Sequence, residues 1–485
     1  MLGNSVIMLW VLCKIIDEME YQFNNFRYKE FGNNFLVTTD SGRWIMLPKE
    51  EFESLKKKEI NENSELFLKL SDIGIILTEG NVTKEINKIR KRNIRSFCGP
   101  SLHIVIPTLK CNHRCIYCHA GVSSCEGKDM DEETARKVVD FIFESPSKNI
   151  TIEFQGGEPL LKFDIIKIIH QYALQVNKNK NKNLLFTIVT NLTLMDEEKL
   201  KYFIDNEIAI CTSLDGPKEL HNHNRKFNGG EGSYDAVTEW IEHISKEYEK
   251  KEIKNRRINA IITVTKKSLS YPEEIINEYV SRGINDIFLR FLNNLGDARG
   301  VWNNISYTPD EFIKFWKESI DYIIKLNLQG KMIRERGVMI FLNKILTEYD
   351  PNFLDIRSPC GACIGQMSYT PSGEIFSCDE ARMLNDDLFK VGEVGKDSFK
   401  DVLGCDKACS IISSSVNDVQ ICDACVYKSY CGLCPVCNYA EQGSLIAKIP
   451  ETARCKIFKA QFDYLFEKLQ NNEIKQIFEE WIQKP

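Results

Sequence analysis

Cysteine constrains this chain more than any other residue, through where it falls rather than how often. The 485-residue sequence holds 18 cysteines. Ten of them lie from Cys360 to Cys437 and Cys455 follows, whereas residues 126–359 hold only Cys211. Core cysteines would be scattered; clustering on this scale points to metal ligation. The apolar run Ser5–Ile16 is too short to span a bilayer and has no charged leader or small-residue cleavage site, so a cytoplasmic protein is expected. Thiols stay reduced in that compartment, which favours metal ligands over disulfides. A net charge of −6 gives no reason to expect nucleic acid or a membrane surface as partner.

From His103 the pattern becomes an alternation of strands and helices. Six short runs rich in β-branched residues are His103–Thr108, Ile150–Phe154, Leu184–Thr190, Ile208–Ser213, Ile258–Val264 and Asp286–Phe291. Helical periodicity separates them, as in Asp131–Glu144, Asp164–Val176 and Tyr271–Arg282. Six β–α units predict an α/β fold, a parallel sheet curled into a partial (β/α)6 barrel over residues 99–300, with its chemistry at the strand C-termini. Residues 1–25 form an N-terminal extension. Residues 26–98 form a small domain, in which Phe35–Thr39 and Arg43–Leu47 read as strands and Pro48–Leu55 and Glu65–Ile73 as helices, with Lys84–Arg95 a charged helix or linker. A helical connector spans 301–359 and contains the capping box Thr308–Glu311. The cysteine-rich domain spans 360–460, and a C-terminal helix follows over 461–485.

Directly after the first barrel strand comes Cys111-Asn-His-Arg-Cys-Ile-Tyr-Cys118. C-x₃-C-x₂-C supplies three thiolates, enough for three irons of a [4Fe–4S] cube with the fourth iron open to another ligand. Zinc is the competing reading, through three cysteines with His113 or His119. This stretch resembles the radical SAM superfamily. The resemblance implies that S-adenosylmethionine (SAM) chelates the open iron, takes one electron and splits to methionine and a 5′-deoxyadenosyl radical. It makes Cys111, Cys115 and Cys118 the catalytic ligands, with Tyr117 at the family's aromatic position. Gly156-Gly157-Glu158-Pro159, after the second strand, resembles the glycine-rich motif that binds the SAM amino group: glycine lets backbone approach closely, and Glu158 can accept from an ammonium. Thr190-Asn191 ends the third strand. Ser213 and Asp215 end the fourth, where they could bond the ribose. Arg225 matches the position from which the family's arginine grips the SAM carboxylate. Each of these residue types also favours turns; their shared place at strand ends carries the assignment.

The C-terminal cysteines resemble the SPASM domain, a twin auxiliary-cluster domain of peptide-modifying radical SAM enzymes. The resemblance assigns Cys360, Cys363, Cys378 and Cys434 to one auxiliary [4Fe–4S] cluster and Cys422, Cys425, Cys431 and Cys455 to a second, making three clusters in all. Two residues, not the family's usual three, separate Cys431 from Cys434, so Cys437 competes with Cys434. Cys13, Cys98, Cys125, Cys211, Cys405 and Cys409 read as structural or free. The domain ahead of the barrel resembles the winged-helix-like leader-recognition domain of ribosomal-peptide maturases, in which a strand edge pairs with an extended leader peptide. The layout resembles maturases of the His-Xaa-Ser type. That implies crosslinking of side chains in a precursor peptide, with an electron donor such as flavodoxin or ferredoxin. Two other functions stand beside this one. A sulfatase-maturase-like enzyme would make formylglycine, and Asp379, directly after Cys378, occupies that group's acid–base position. A non-catalytic zinc-binding protein is the third, because C-x₂-C-x₅-C-x₂-C from Cys422 alone would pass for a zinc ribbon. His103, Glu153 and Arg290 are further polar residues expected inside the barrel.

Overall fold

The computed structural model describes residues 21–96, 98–121, 128–253, 258–419 and 421–483. Cys13, Cys125 and the run Ser5–Ile16 lie outside the described residues. Among those described, no helix is long and apolar enough to cross a membrane.

The N-terminal region is a three-stranded antiparallel sheet in the order β1 (Phe26–Phe31), β2 (Asn34–Thr39), β3 (Trp44–Pro48). Helices α1 (Lys49–Lys57), α2 (Glu65–Asp72) and α3 (Glu79–Asn93) follow. Val37, Leu47, Phe52, Leu55, Leu70 and Ile76 form its own small core. The sequence pattern predicts two strands here, and β1 is a third. Its polarity is inverted: Arg27 is 5% exposed and Tyr28 is 45% exposed. The reason is docking. Arg27 pairs with Asp423 at 3.0 Å and Asp40 at 2.8 Å, and Lys29 pairs with Asp463. Thr38 Oγ1 donates to the Val426 carbonyl at 2.8 Å, Ser429 Oγ to the Thr39 carbonyl at 2.8 Å and Tyr430 OH to the Gly42 carbonyl at 3.1 Å. This sheet therefore sits on residues 423–430, the stretch between Cys422 and Cys431.

Six parallel strands make the barrel: β4 (Leu102–Thr108), β5 (Asn149–Gly156), β6 (Asn183–Val189), β7 (Ala209–Ser213), β8 (Asn259–Thr263) and β9 (Leu289–Arg290). Between them run α4 (Glu132–Ile142), α5 (Phe163–Lys180), α6 (Glu197–Asp205), α7 (Lys218–Asn224), α8 (Tyr234–Lys250) and α9 (Pro272–Ser281). Side chains alternate as the period of two requires. In β5, Ile150, Ile152 and Phe154 are buried in the main core, whereas Thr151, Glu153 and Gln155 point to the opposite face. The predicted sixth run, Asp286–Phe291, is split. Asp286–Ile287 pairs with Arg334–Glu335 and only β9 joins β8, because the Glu335 carboxylate takes the Leu289 N–H at 3.1 Å.

The connector supplies α10 (Pro309–Leu328) and α11 (Arg336–Leu346). Strand β10 (Gln366–Tyr369) then pairs parallel with β4, so the C-terminal region extends the barrel sheet itself. With β11 (Glu374–Phe376) and β12 (Lys390–Glu393) the sheet reaches nine strands, ordered β9-β8-β7-β6-β5-β4-β10-β11-β12. Helices α12 (Asp379–Leu384), α13 (Asp406–Ser414), α14 (Pro435–Gln442), α15 (Ala453–Lys468) and α16 (Asn472–Gln483) complete the chain.

Candidate active site and auxiliary thiol groups

The loop after β4 is held from three sides. Arg114 N–H donates to the Lys226 carbonyl at 2.7 Å, Ile116 N–H to the Asn224 carbonyl at 2.9 Å and Asp297 N–H to the Cys118 carbonyl at 2.8 Å. Its three thiols, Cys111, Cys115 and Cys118, are all partly exposed at the barrel's C-terminal rim. Burial pushes the Cys111 thiol up to about 11 and the Cys115 thiol up to about 12, with neighbouring thiols adding to it. Arg225 acts in the opposite sense on both, and a metal bound to the thiols would draw their protons off.

The glycine turn packs on this loop. Gly156 has φ +134°, and a Cβ there would lie 2.4 Å from the Thr108 carbonyl oxygen. A Cβ on Gly157 would lie 2.1 Å from the Lys110 carbonyl oxygen. Gly157 N–H donates to Thr108 at 3.0 Å and Glu158 N–H to Lys110 at 2.8 Å. Close approach is thus made to the cysteine loop. Glu158 is fully buried, and its carboxylate accepts from Leu160 N–H at 3.0 Å, Thr190 Oγ1 at 2.6 Å and Asn191 N–H at 2.8 Å. Burial raises its pKa against those donors. The side chain read as an acceptor for an ammonium therefore clamps the end of β5 to the end of β6. Asn191 reaches back to the loop, donating to Asn112 Oδ1 at 2.8 Å with Cys111 Sγ 3.9 Å away.

A second buried network crosses the rim. Tyr117 OH lies 2.7 and 2.8 Å from the two Asp215 oxygens and accepts from Arg225 Nη1 at 2.9 Å. Asn224 Nδ2 adds a donor to Asp215 at 3.1 Å. Asp215, expected to meet a ribose, is occupied chiefly by protein. Arg225 differs: its Nε is buried with no hydrogen-bond partner. An unpaired buried guanidinium N–H is costly unless an acceptor arrives, and a carboxylate suits it. Ser213 sits at the end of β7, partly exposed on the face of Cys211. Sequence reading missed Asn224, Asn112 and Thr193, whose Oγ1 accepts from Asn112 Nδ2 at 2.8 Å, because their short polar side chains look like turn residues until their partners are known.

On the other face of the strands, Glu153 accepts from Gln155 Nε2 at 2.6 Å and Thr187 Oγ1 at 3.0 Å. Cys211 belongs to the same surroundings: burial and the Glu153 charge push its thiol up to about 12, while Arg336 and Arg290 act in the opposite sense. His103 is a core residue, bonded to Tyr369 OH at 2.8 Å and the Pro100 carbonyl at 3.2 Å, with burial holding it down to about 3.

The C-terminal thiols fall into groups. Burial and the neighbouring Cys434 push Cys360 up; burial, Glu380, Cys360 and Cys434 do the same to Cys378. Cys378 and Cys434 are the N-caps of α12 and α14, where the helix dipole favours a thiolate. Cys437 donates its N–H to Cys434 Sγ at 3.5 Å. Cys363, at φ +64°, feels Cys405, Cys360 and Cys409. Cys422, Cys425, Cys431 and Cys455 line one small cavity together. Asp379 is 8% exposed and accepts from Arg382 Nη2 at 2.8 Å. Among the described residues no three His, Cys, Asp or Glu converge on a point that would hold a single ion; the thiolates of an iron–sulfur cube each bind a different iron.

Known proteins share this architecture. A family model described as the radical SAM superfamily matches residues 105–278. The cysteine-type anaerobic sulfatase-maturating enzyme of Clostridium perfringens (strain 13 / Type A) is 26% identical over 381 residues, covering 75% of this chain and 96% of that protein. The solved structure of native anSMEcpe with bound AdoMet and Cp18Cys peptide superposes with a TM-score of 0.65 at 23% identity, over 77% of this chain and 99% of that one. Streptococcus suis SuiB bound to precursor peptide SuiA gives 0.53 at 14% identity, over 88% of this chain and 98% of that one. Taken with the thiol loop, the glycine turn and the strand-end network, these matches identify a radical SAM domain over residues 105–278 of an enzyme whose fold, C-terminal extension included, is that of the matched structures.

Proposed function

We propose that this enzyme is a maturase that oxidises side chains of a ribosomally made peptide. The observation that carries the reading is likeness over most of the chain: the sulfatase-maturating relative covers 75% of this chain and is matched over 96% of its own length, and the peptide-bound SuiB–SuiA structure spans 88% of this chain, more than the barrel and extension alone. When bound, the cluster on Cys111, Cys115 and Cys118 together with SAM would supply hydrogen-atom abstraction. The chain's own residues hold that site. The Lys110 and Thr108 carbonyls fix the glycine turn, Glu158 locks two strand ends, and Tyr117 and Asp215 orient Arg225 toward the SAM carboxylate. Ser213 and Asn191 stand at the same rim. Cys360, Cys363, Cys378 and Cys434 would hold one auxiliary cluster and Cys422, Cys425, Cys431 and Cys455 another, giving the substrate's surplus electron a way out. Cys434 is taken as the fourth ligand of the first set, its thiol being near enough to those of Cys360 and Cys378 to push both up. The N-terminal sheet would take an extended leader, and flavodoxin or ferredoxin in the cytoplasm would supply electrons.

Formylglycine formation is the second reading, favoured by the sulfatase-maturating relative. In it Asp379, held by Arg382, would accept the substrate proton. Full-length protein reconstituted without oxygen is incubated with SAM, reductant and either a leader-bearing precursor or a sulfatase-type Cys/Ser peptide. Loss of two hydrogens with no aldehyde, read by mass spectrometry and hydrazide capture, supports a crosslink. A captured aldehyde supports formylglycine. In the Cys111/Cys115/Cys118→Ala variant, iron should fall from about twelve to about eight per chain and SAM cleavage should vanish. Zinc without iron in the wild-type protein would overturn both readings.

A further inference from the structure

Arg454 lies between the two C-terminal thiol groups. It stands in the first turn of α15, next to Cys455, whose N–H donates to the Thr452 cap at 3.2 Å. Its side chain borders the cavity of that second thiol group and reaches beside the first: Nη2 donates to Cys437 Sγ at 3.3 Å, and the Cys437 N–H donates in turn to Cys434 Sγ. Its Nε is buried and has no hydrogen-bond partner. The rings of Phe291 and Phe458 flank the guanidinium at 5.3 and 5.7 Å from their centroids. Aromatic faces hold the planar fork in place, the residue as a whole being half-buried.

A charge confined this way must act on whatever binds the thiols it touches. Four thiolates around a cube leave it net negative, and one-electron reduction makes it more negative still. A fixed cation beside the ligand sulfurs favours the reduced state and raises the reduction potential. Asp355 and Glu380 also border the guanidinium and oppose it, so the net effect is smaller than that of a bare charge. Arginine keeps its charge at every accessible pH.

Resting on the two-auxiliary-cluster reading above, we propose that Arg454 is a positioning residue for the first auxiliary cluster, its guanidinium raising that cluster's reduction potential whether Cys434 or Cys437 is the ligand. The step concerned is uptake of one electron by the cluster, supplied in the test by dithionite.

Full-length wild type and the variants Arg454→Met, Arg454→Gln and Arg454→Lys are reconstituted without oxygen. Iron and sulfide are counted, and each is titrated electrochemically with electron paramagnetic resonance as readout. In Arg454→Met one auxiliary transition should move to lower potential, with the reduced-to-oxidised ratio at a fixed potential falling about tenfold, or about 59 mV. Arg454→Lys should keep most of the wild-type potential, and the other auxiliary transition should move less. Unchanged auxiliary midpoints in Arg454→Met with full iron would overturn the proposal. If Arg454→Met fails to retain its irons, Arg454→Gln, which keeps donor N–H groups without charge, decides in the same way. Loss of irons in the uncharged variants and not in Arg454→Lys supports a charge-based hold on the cluster; equal loss in Arg454→Lys overturns it. About four irons per chain in the wild type would mean instead that the two-cluster reading itself fails.

Discussion

The thiol loop after β4 and the cysteine-rich C-terminal region present the same ligand chemistry with opposite use of the chain. In the first, Cys111, Cys115 and Cys118 come from one loop between a strand and the glycine turn, and all three stay partly exposed at the rim. In the second, Cys360, Cys363, Cys378 and Cys434 are buried and come from separate elements, among them the caps of α12 and α14. Cys422, Cys425, Cys431 and Cys455 are partly exposed, and their connecting stretch carries the N-terminal sheet. An exposed three-thiol loop leaves room for a ligand to enter. A buried four-thiol set closes it out and lets protein charge act at full strength. On the reading proposed above, the contrast separates a rim loop open to SAM from the buried set Cys360, Cys363, Cys378 and Cys434, suited to electron storage.

The comparison can be broken where the two regions fail independently. The largest effect is expected from Gly157→Ala, which drives a methyl group into the Lys110 carbonyl and displaces the thiol loop. Iron should fall by about four per chain while the auxiliary irons remain. Iron analysis with a SAM-cleavage assay reads this, and an unchanged count would mean that the turn does not position the loop. Next come paired substitutions at α14. Cys434→Ser should lose up to about four auxiliary irons and leave SAM cleavage intact, whereas Cys437→Ser should keep them all. The reverse pattern would make Cys437 the ligand. The smallest effect is expected from Tyr117→Phe, which removes the hydroxyl between Asp215 and Arg225. A stability loss of about 1–3 kcal/mol in urea unfolding should accompany weaker SAM binding by calorimetry, with iron content unchanged. Undiminished SAM affinity would show that the network supports the fold alone.

Much of the barrel was legible because its signals are local. The six runs give strands within a residue or two of their expected ends, except Asp286–Phe291, which Glu335 interrupts from far along the chain. The missed strand β1 shows the opposite limit. Arg27 and Tyr28 look outward and inward by type and are the reverse in place, since Asp423 draws the arginine inside. At the rim, the glycine turn and Glu158 were identified by position, yet their partners were not. Nothing near Glu158 in sequence announces that Thr190 and Asn191 will saturate it.

What the sequence by itself determined is the part written in neighbouring residues: three thiols on one loop, a period of two in the strands, a period of 3.6 in the helices, and a second concentration of cysteine toward the C-terminus. Only the tertiary structure decided the rest. It brought Cys434 to Cys360 and Cys378, joined Asp215 to Tyr117 and Arg225, set Arg454 of one thiol group against Cys437 of the other, and seated the N-terminal sheet on residues 423–430. The physical reason is the same in each case. Spacing fixes which groups lie on one face of one element, whereas the partner of a buried charge or thiol is chosen by packing between elements far apart in the chain.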